Sequence, residues 1–151
     1  MLLHPAARVW DVTIGPDVLP AALADPRSWF EAEQQALVAT VERAAALDLH
    51  NDVTDLASAL CGSLFVTDNL FDAWQRTHDA ALYAARRAGN RLAEATLLAE
   101  LGQQRYEQDR YVEARELLGT ALTLFQECGD PRGAAATHAA LGTCCGNHTL
   151  P

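Results

Sequence analysis

Residues 101–142 read LGQQRYEQDRYVEARELLGTALTLFQECGDPRGAAATHAALG, a stretch that opens and closes on Leu-Gly forty residues apart. The same offset links Gly62, Gly102 and Gly142, and it links Ala59, Ala99 and Ala139. Gly89 and Gly129 share it, as do Phe71 and Tyr111, Ala81 and Ala121, and Leu82 and Leu122. Asn90 and Asp130 stand in register too, each able to cap a helix directly after a glycine. Coincidences of this number, matched in size and chemistry, identify an internal repeat. A period in this range implies stacked supersecondary units sharing one continuous core.

Within each unit the apolar residues recur at helical spacing. Ser28-Trp29-Phe30-Glu31 has the form of a capping box. With Phe30, Leu37, Val38, Val41, Ala44 and Ala45 it predicts a first helix over about 28–48. Asn51 or Asp52 opens a second, running through Leu56, Leu60 and Leu64 to about Phe65. Asp68 or Asn69 starts a third, carrying Phe71, Trp74, His78, Ala81 and Leu82 and stopping at Gly89, which suits a left-handed C-cap. Asn90 opens a fourth through Leu97, Leu98 and Leu101 to about Glu107. A fifth spans about Arg110 to Cys128, with Tyr111, Ala114, Leu118, Ala121 and Phe125 inward. Asp130-Pro131, a cap followed by proline in the first turn, begins a sixth that ends near Gly146. The expected fold is all-α, about six antiparallel helices stacked as hairpins. Gly62, Gly102, Gly142, Ala81 and Ala121 are expected where helices cross closely, the contact offsetting the roughly 1 kcal/mol that a mid-helix glycine costs.

Composition narrows the function. The chain has 151 residues, 29 of them Ala and 22 Leu, a third of the chain in strong helix formers. All 11 basic residues are Arg, and 20 acids bring the net charge to −9. No basic field exists to neutralise phosphates, so direct nucleic-acid binding by this chain is not expected. No apolar run approaches the roughly 18 residues of a membrane span, and Met-Leu-Leu-His-Pro does not read as a signal peptide. Cys61 and Cys128 fall in helical patterns and Cys144-Cys145 are neighbours, which reads as reduced thiols in a cytoplasmic protein. Residues 1–27 hold Pro5, Pro16, Pro20 and Pro26 and read as an extended connector pinned by Trp10, Val12, Ile14, Val18 and Leu19. The repeat domain is expected over 28–146, with a tail at 147–151.

At Leu101-Gly102, Tyr111, Ala114, Ala121 and Asp130-Pro131 the pattern resembles the tetratricopeptide repeat (TPR). It departs from that motif in its period, 40 where 34 is common, and in the preceding copy, where Cys61 stands for Leu and Trp74 for Ala. The longer version is similar to the repeat arrays at the C-terminal end of Streptomyces antibiotic regulatory proteins (SARPs) and their AfsR-like relatives. Ser28–His50 resembles the helix leading into those arrays, Ala121–Gly142 their repeat joint, and Leu2–Val12 the tail after their NTP-binding module. The resemblance implies a TPR-like right-handed α-α superhelix and a non-catalytic, protein-binding part of a transcriptional regulator of secondary metabolism. Alternatives from the residues are a small-molecule-sensing helical domain and a stand-alone adaptor. The first helix has nothing before it to pair with, and Ala135, Ala139, Leu141 and Cys145 on the sixth have no covering helix. The expectation is therefore a portion of a longer protein, its open end buried by further repeats or in a homodimer.

No residue pattern calls for catalysis, a cofactor or a metal. His138, Cys144, Cys145 and His148 are metal-ligand types, but their spacing lacks the paired form of zinc sites. His50 and His78 read as turn and core-edge residues. Glu107, Asp109, Glu113 and Glu116, interleaved with Arg105, Arg110 and Arg115, read as a solvated edge. The candidate partner surface is the concave face built by the first helix of each pair: Ser63, Val66, Thr96, Ala99, Gln103 and Tyr106. These positions lack the Lys, Arg and Asn with which chaperone-binding TPRs clamp a peptide carboxylate. A neutral groove suits a moderately apolar peptide or helix.

Overall fold

In a computed structural model describing residues 20, 24–66 and 68–146, six helices follow one another and no strand occurs among the described residues. They are α1 (Pro26–Ala46), α2 (His50–Leu60), α3 (Phe71–Arg87), α4 (Arg91–Glu107), α5 (Tyr111–Glu127) and α6 (Pro131–Gly146). A π-helical turn, Cys61–Phe65, continues α2. Most of the proline-rich connector, including Trp10, Val12, Ile14, Val18 and Leu19, lies outside the described residues, as does the tail 147–151. The connector's boundary at residue 27 moves, because Pro26 and Arg27 already belong to α1. The capping box at Ser28 does not form. Asp25 caps the helix instead, its carboxylate accepting the Ser28 backbone N–H at 3.1 Å, with Pro26 in the first turn.

Every junction between helices is built alike. Asp48, Asn69, Gly89, Asp109 and Gly129 take left-handed backbone, with φ of 59, 54, 66, 59 and 68°. Around each, the next N–H reaches back across the turn: Leu49 to Ala44, Leu70 to Phe65, Asn90 to Ala85, Arg110 to Arg105 and Asp130 to Phe125, at 2.9–3.1 Å. The left-handed residue's own N–H closes a shorter ring, as Gly89 does to Arg86 and Asp109 to Tyr106. This is the Schellman closure, which satisfies the last carbonyls of a helix and reverses the chain in three residues. Asn69 and Asp109 therefore end helices, although Asn69 reads in sequence as a helix start. Asn and Asp tolerate the left-handed region better than other non-glycine residues.

The left-handed residues at 69, 89, 109 and 129 recur every 20, so a hairpin of two helices spans 40. From 48 to 69 the interval is 21. One extra residue must be stored in that unit, and the π turn Cys61–Phe65 stores it, since a π turn is an α-helix with one residue inserted.

Each helix packs on its successor, and α1 on α3, α2 on α4 and α4 on α6. One core runs through the stack, with Val41, Val53, Phe65, Trp74, Leu97 and Leu118 among its buried side chains. Phe30 meets Phe65 edge-on at 5.8 Å between centroids. Gly102 fulfils the close-crossing expectation: a Cβ there would lie 2.7 Å from Leu118 Cγ. Ala81 and Ala121 are fully buried. Gly62 and Gly142 do not follow. Gly62 sits in the π turn and is exposed, its helix register shifted by the extra residue. Gly142 is exposed with nothing within 4 Å of a Cβ, because no described helix crosses α6 where α5 crosses α4. Gly133 is the second true close approach, against the ring of Phe125. No helix among the described residues is long and apolar enough to cross a membrane.

Candidate functional site

The first helices of the two hairpins, α2 and α4, carry the expected partner surface. The side chain of Ser63 lies outside the described set. Val66 is half-buried and packs on the core. Thr96 and Gln103 are half-buried and polar; Thr96 donates its hydroxyl to the Leu92 carbonyl (3.1 Å) and Gln103 its amide to Glu107 (2.5 Å). Tyr106 packs edge-on against Tyr111, centroids 5.5 Å apart. Ala99 is only 7% exposed and is a core residue, placed inward because α4 is covered on several sides. Thr96, Gln103 and Tyr106 are thus the half-buried polar side chains of this group among the described residues.

One residue further on, Gln104 is fully buried and donates to the Phe71 carbonyl at 2.8 Å, tying α4 to the start of α3. Its oxygen accepts from Arg105, whose guanidinium also reaches Gln75 at 2.7 Å. The acidic edge behaves as expected, Arg110 pairing with Glu113 three residues on.

A polar cluster lies where the first hairpin meets the second, at the joint of α2, α3 and α4. Cys61 opens the π turn, Ser58 precedes it by one turn, His78 comes from α3 and Glu100 from α4. Their exposures are 4%, 6%, 0% and 8%, so His78 is a core residue and not the core-edge residue its spacing predicts. Glu100 Oε2 sits 2.9 Å from His78 Nε2 and accepts the Ser58 hydroxyl at 2.9 Å. His78 Nδ1 lies 3.1 Å from the Trp74 carbonyl and 3.3 Å from the Thr77 hydroxyl. The Trp74 ring stands edge-on to the imidazole at 6.1 Å. Burial pushes the Cys61 thiol well above its ordinary range, with the nearby Glu100 carboxylate adding to the effect. One ligand atom each from Cys61, His78 and Glu100 lie within 4.8 Å of one another.

The sequence does not reveal this grouping, since its members are 17 and 22 residues apart on three helices. One signal was available: Cys61, His78 and Glu100 stand forty residues before Leu101, Leu118 and Ala140, so three positions that are apolar on α4, α5 and α6 are polar one repeat earlier. His138, Cys144 and Cys145, by contrast, are not brought together. Cys144 is buried while His138 and Cys145 are exposed, and His148 lies outside the described residues. An open groove of about 430 Å³ between α1 and α3 is lined by Gln34, Val38, Phe71 and Arg76, among others. Arg76 is held there by Glu42 at 2.9 and 3.0 Å. No protein family, curated protein or solved structure matches this chain.

Proposed function

We propose that the chain is a non-catalytic helical-repeat interaction module, a TPR-like right-handed superhelix that binds a protein or peptide as the regulatory part of a SARP/AfsR-like transcriptional regulator. The observation that carries this reading is the repetition of one junction geometry every 20 residues, on which the forty-residue sequence identities are superimposed. Such a stack holds its helices rigidly and adds surface unit by unit, which suits it to scaffolding. Thr96 and Gln103, with the flanking Val66 and Tyr106, supply a neutral, partly apolar face for an extended peptide or a helix. Binding there biases other parts of a regulator without any chemical step.

The test is site-specific photo-crosslinking with a benzophenone amino acid at 96 or 103, and at 83, whose Tyr is exposed on α3. One partner trapped from 96 and 103 but not from 83 supports the reading. Adducts independent of position, or none from 96 and 103, count against it.

A further inference from the structure

We propose that Cys61, His78 and Glu100 form a buried binding site for a divalent transition metal, of which Zn²⁺ is the natural occupant. Three observations converge on it. The first is the ligand set. One thiolate, one imidazole and one carboxylate suit borderline d-block cations and not Ca²⁺ or Mg²⁺, which take oxygen ligands. Their ligand atoms already lie within 4.8 Å. Tetrahedral zinc needs separations of about 3.4–3.6 Å between such atoms, so side-chain adjustments of about an ångström close the site.

The second is the surrounding shell. Metal-binding histidines donate their other ring N–H to a carbonyl or carboxylate, which fixes the tautomer. His78 Nδ1 lies 3.1 Å from the Trp74 carbonyl, in place for that bond, while Nε2 faces the cluster. Ser58 donates to Glu100 at 2.9 Å and orients its carboxylate in the same way. The π turn, a device frequent at functional sites, places Cys61 at the start of its irregular segment.

The third is the forty-residue offset, at which Cys61, His78 and Glu100 are matched in sequence by Leu101, Leu118 and Ala140 on α4, α5 and α6. Leu101 and Leu118 are buried. Packing alone therefore does not require a thiol, an imidazole and a carboxylate at this joint, and buried polar groups are costly unless they are matched. The charge balance is also favourable. Thiolate, carboxylate, neutral imidazole and a divalent cation sum to zero charge in a low-dielectric interior.

The test is titration of the full, reduced chain with Co²⁺ and Zn²⁺. One Co²⁺ per chain is expected, with thiolate-to-cobalt charge-transfer absorption and the visible bands of a tetrahedral ion. Zn²⁺ should displace it, and calorimetry in buffers of different ionisation enthalpy should show proton release on binding. Cys61→Val should abolish the charge-transfer band, and His78→Leu should weaken binding by about 100-fold or more. The triple variant C61L/H78L/E100A carries the residues found forty positions later and should remain helical while binding no metal. Absence of saturable binding by the wild-type chain overturns the proposal. So does a band that survives in the folded triple variant, or one that depends on Cys144 and Cys145 instead.

Discussion

Gly102 and Gly142 are equivalent in the repeat, yet replacing each by Ala should shift stability in opposite directions. At Gly102 the new Cβ meets Leu118 Cγ at 2.7 Å, Leu118 Cδ2 at 3.0 Å and the Ala114 carbonyl at 3.4 Å. Cγ is the branch point of a buried side chain, so it cannot swing aside as a flexible tip would, and α4 and α5 must separate. Overpacking of this kind costs about 1–3 kcal/mol, against which the better helix propensity of Ala returns about 1 kcal/mol. The net expectation for Gly102→Ala is a loss of up to about 2 kcal/mol. At Gly142 nothing lies within 4 Å, so only propensity acts and Gly142→Ala should gain about 0.5–1 kcal/mol. Urea unfolding followed by far-UV circular dichroism measures both, and each kcal/mol should move the melting temperature by about 4 °C in a chain of this size. A double-mutant cycle isolates the cause. With Leu118→Ala as background the obstruction is gone, and Gly102→Ala should then become stabilising. A Gly102→Ala variant stabilised as much as Gly142→Ala, or one that stays destabilising in the Leu118→Ala background, refutes the close-crossing argument.

The junction geometry makes a second pair of opposite effects. Asn69→Gly relieves a left-handed non-glycine residue (φ 54°) and should add about 0.5 kcal/mol, whereas Gly129→Ala (φ 68°, open space around it) should lose about 1 kcal/mol by thermal melting. Hydrogen bonds from Ser28, its hydroxyl first and then its backbone N–H, hold the Asp25 carboxyl below the ordinary carboxylate range. A depressed native value means that the stabilisation is present above about pH 4 and fades as pH falls through that native value. Asp25→Asn keeps a capping side chain that does not titrate, so an acid titration of helicity should show a smaller loss in the variant. Native iodoacetamide labelling read by mass spectrometry should modify exposed Cys128 and Cys145 and spare buried Cys61 and Cys144. Rapid modification of Cys61 would contradict its burial at the joint of three helices.

Much of the fold is legible before any coordinates. Asn90 caps α4 through Ala93 at 3.1 Å, Gly89 and Gly129 close their helices in left-handed backbone, and Asp130-Pro131 opens α6. These are local signals, set by which backbone groups a side chain can reach within three or four residues. The errors fall where two local signals competed. Ser28 offered a capping box, but Asp25 followed by Pro26 is a stronger start, because proline preorganises the first turn and has no N–H to satisfy. Asn69 is a helix-starting cap in one register and a left-handed closure in another, and only the return of the chain onto its neighbour selects the second.

The sequence by itself determined the helical class, the forty-residue unit and most of the helix boundaries, since periodicity and capping depend on neighbours along the chain. The tertiary structure decided which of three register-equivalent glycines is a contact, because that depends on whether a helix lies opposite. It showed that the first unit holds one extra residue, stored in the π turn. It also brought Cys61, His78 and Glu100 from three helices into one buried cluster. Proximity between side chains 17 and 22 residues apart is set by how helices rotate and cross in the stack, and repeat spacing alone does not encode that rotation.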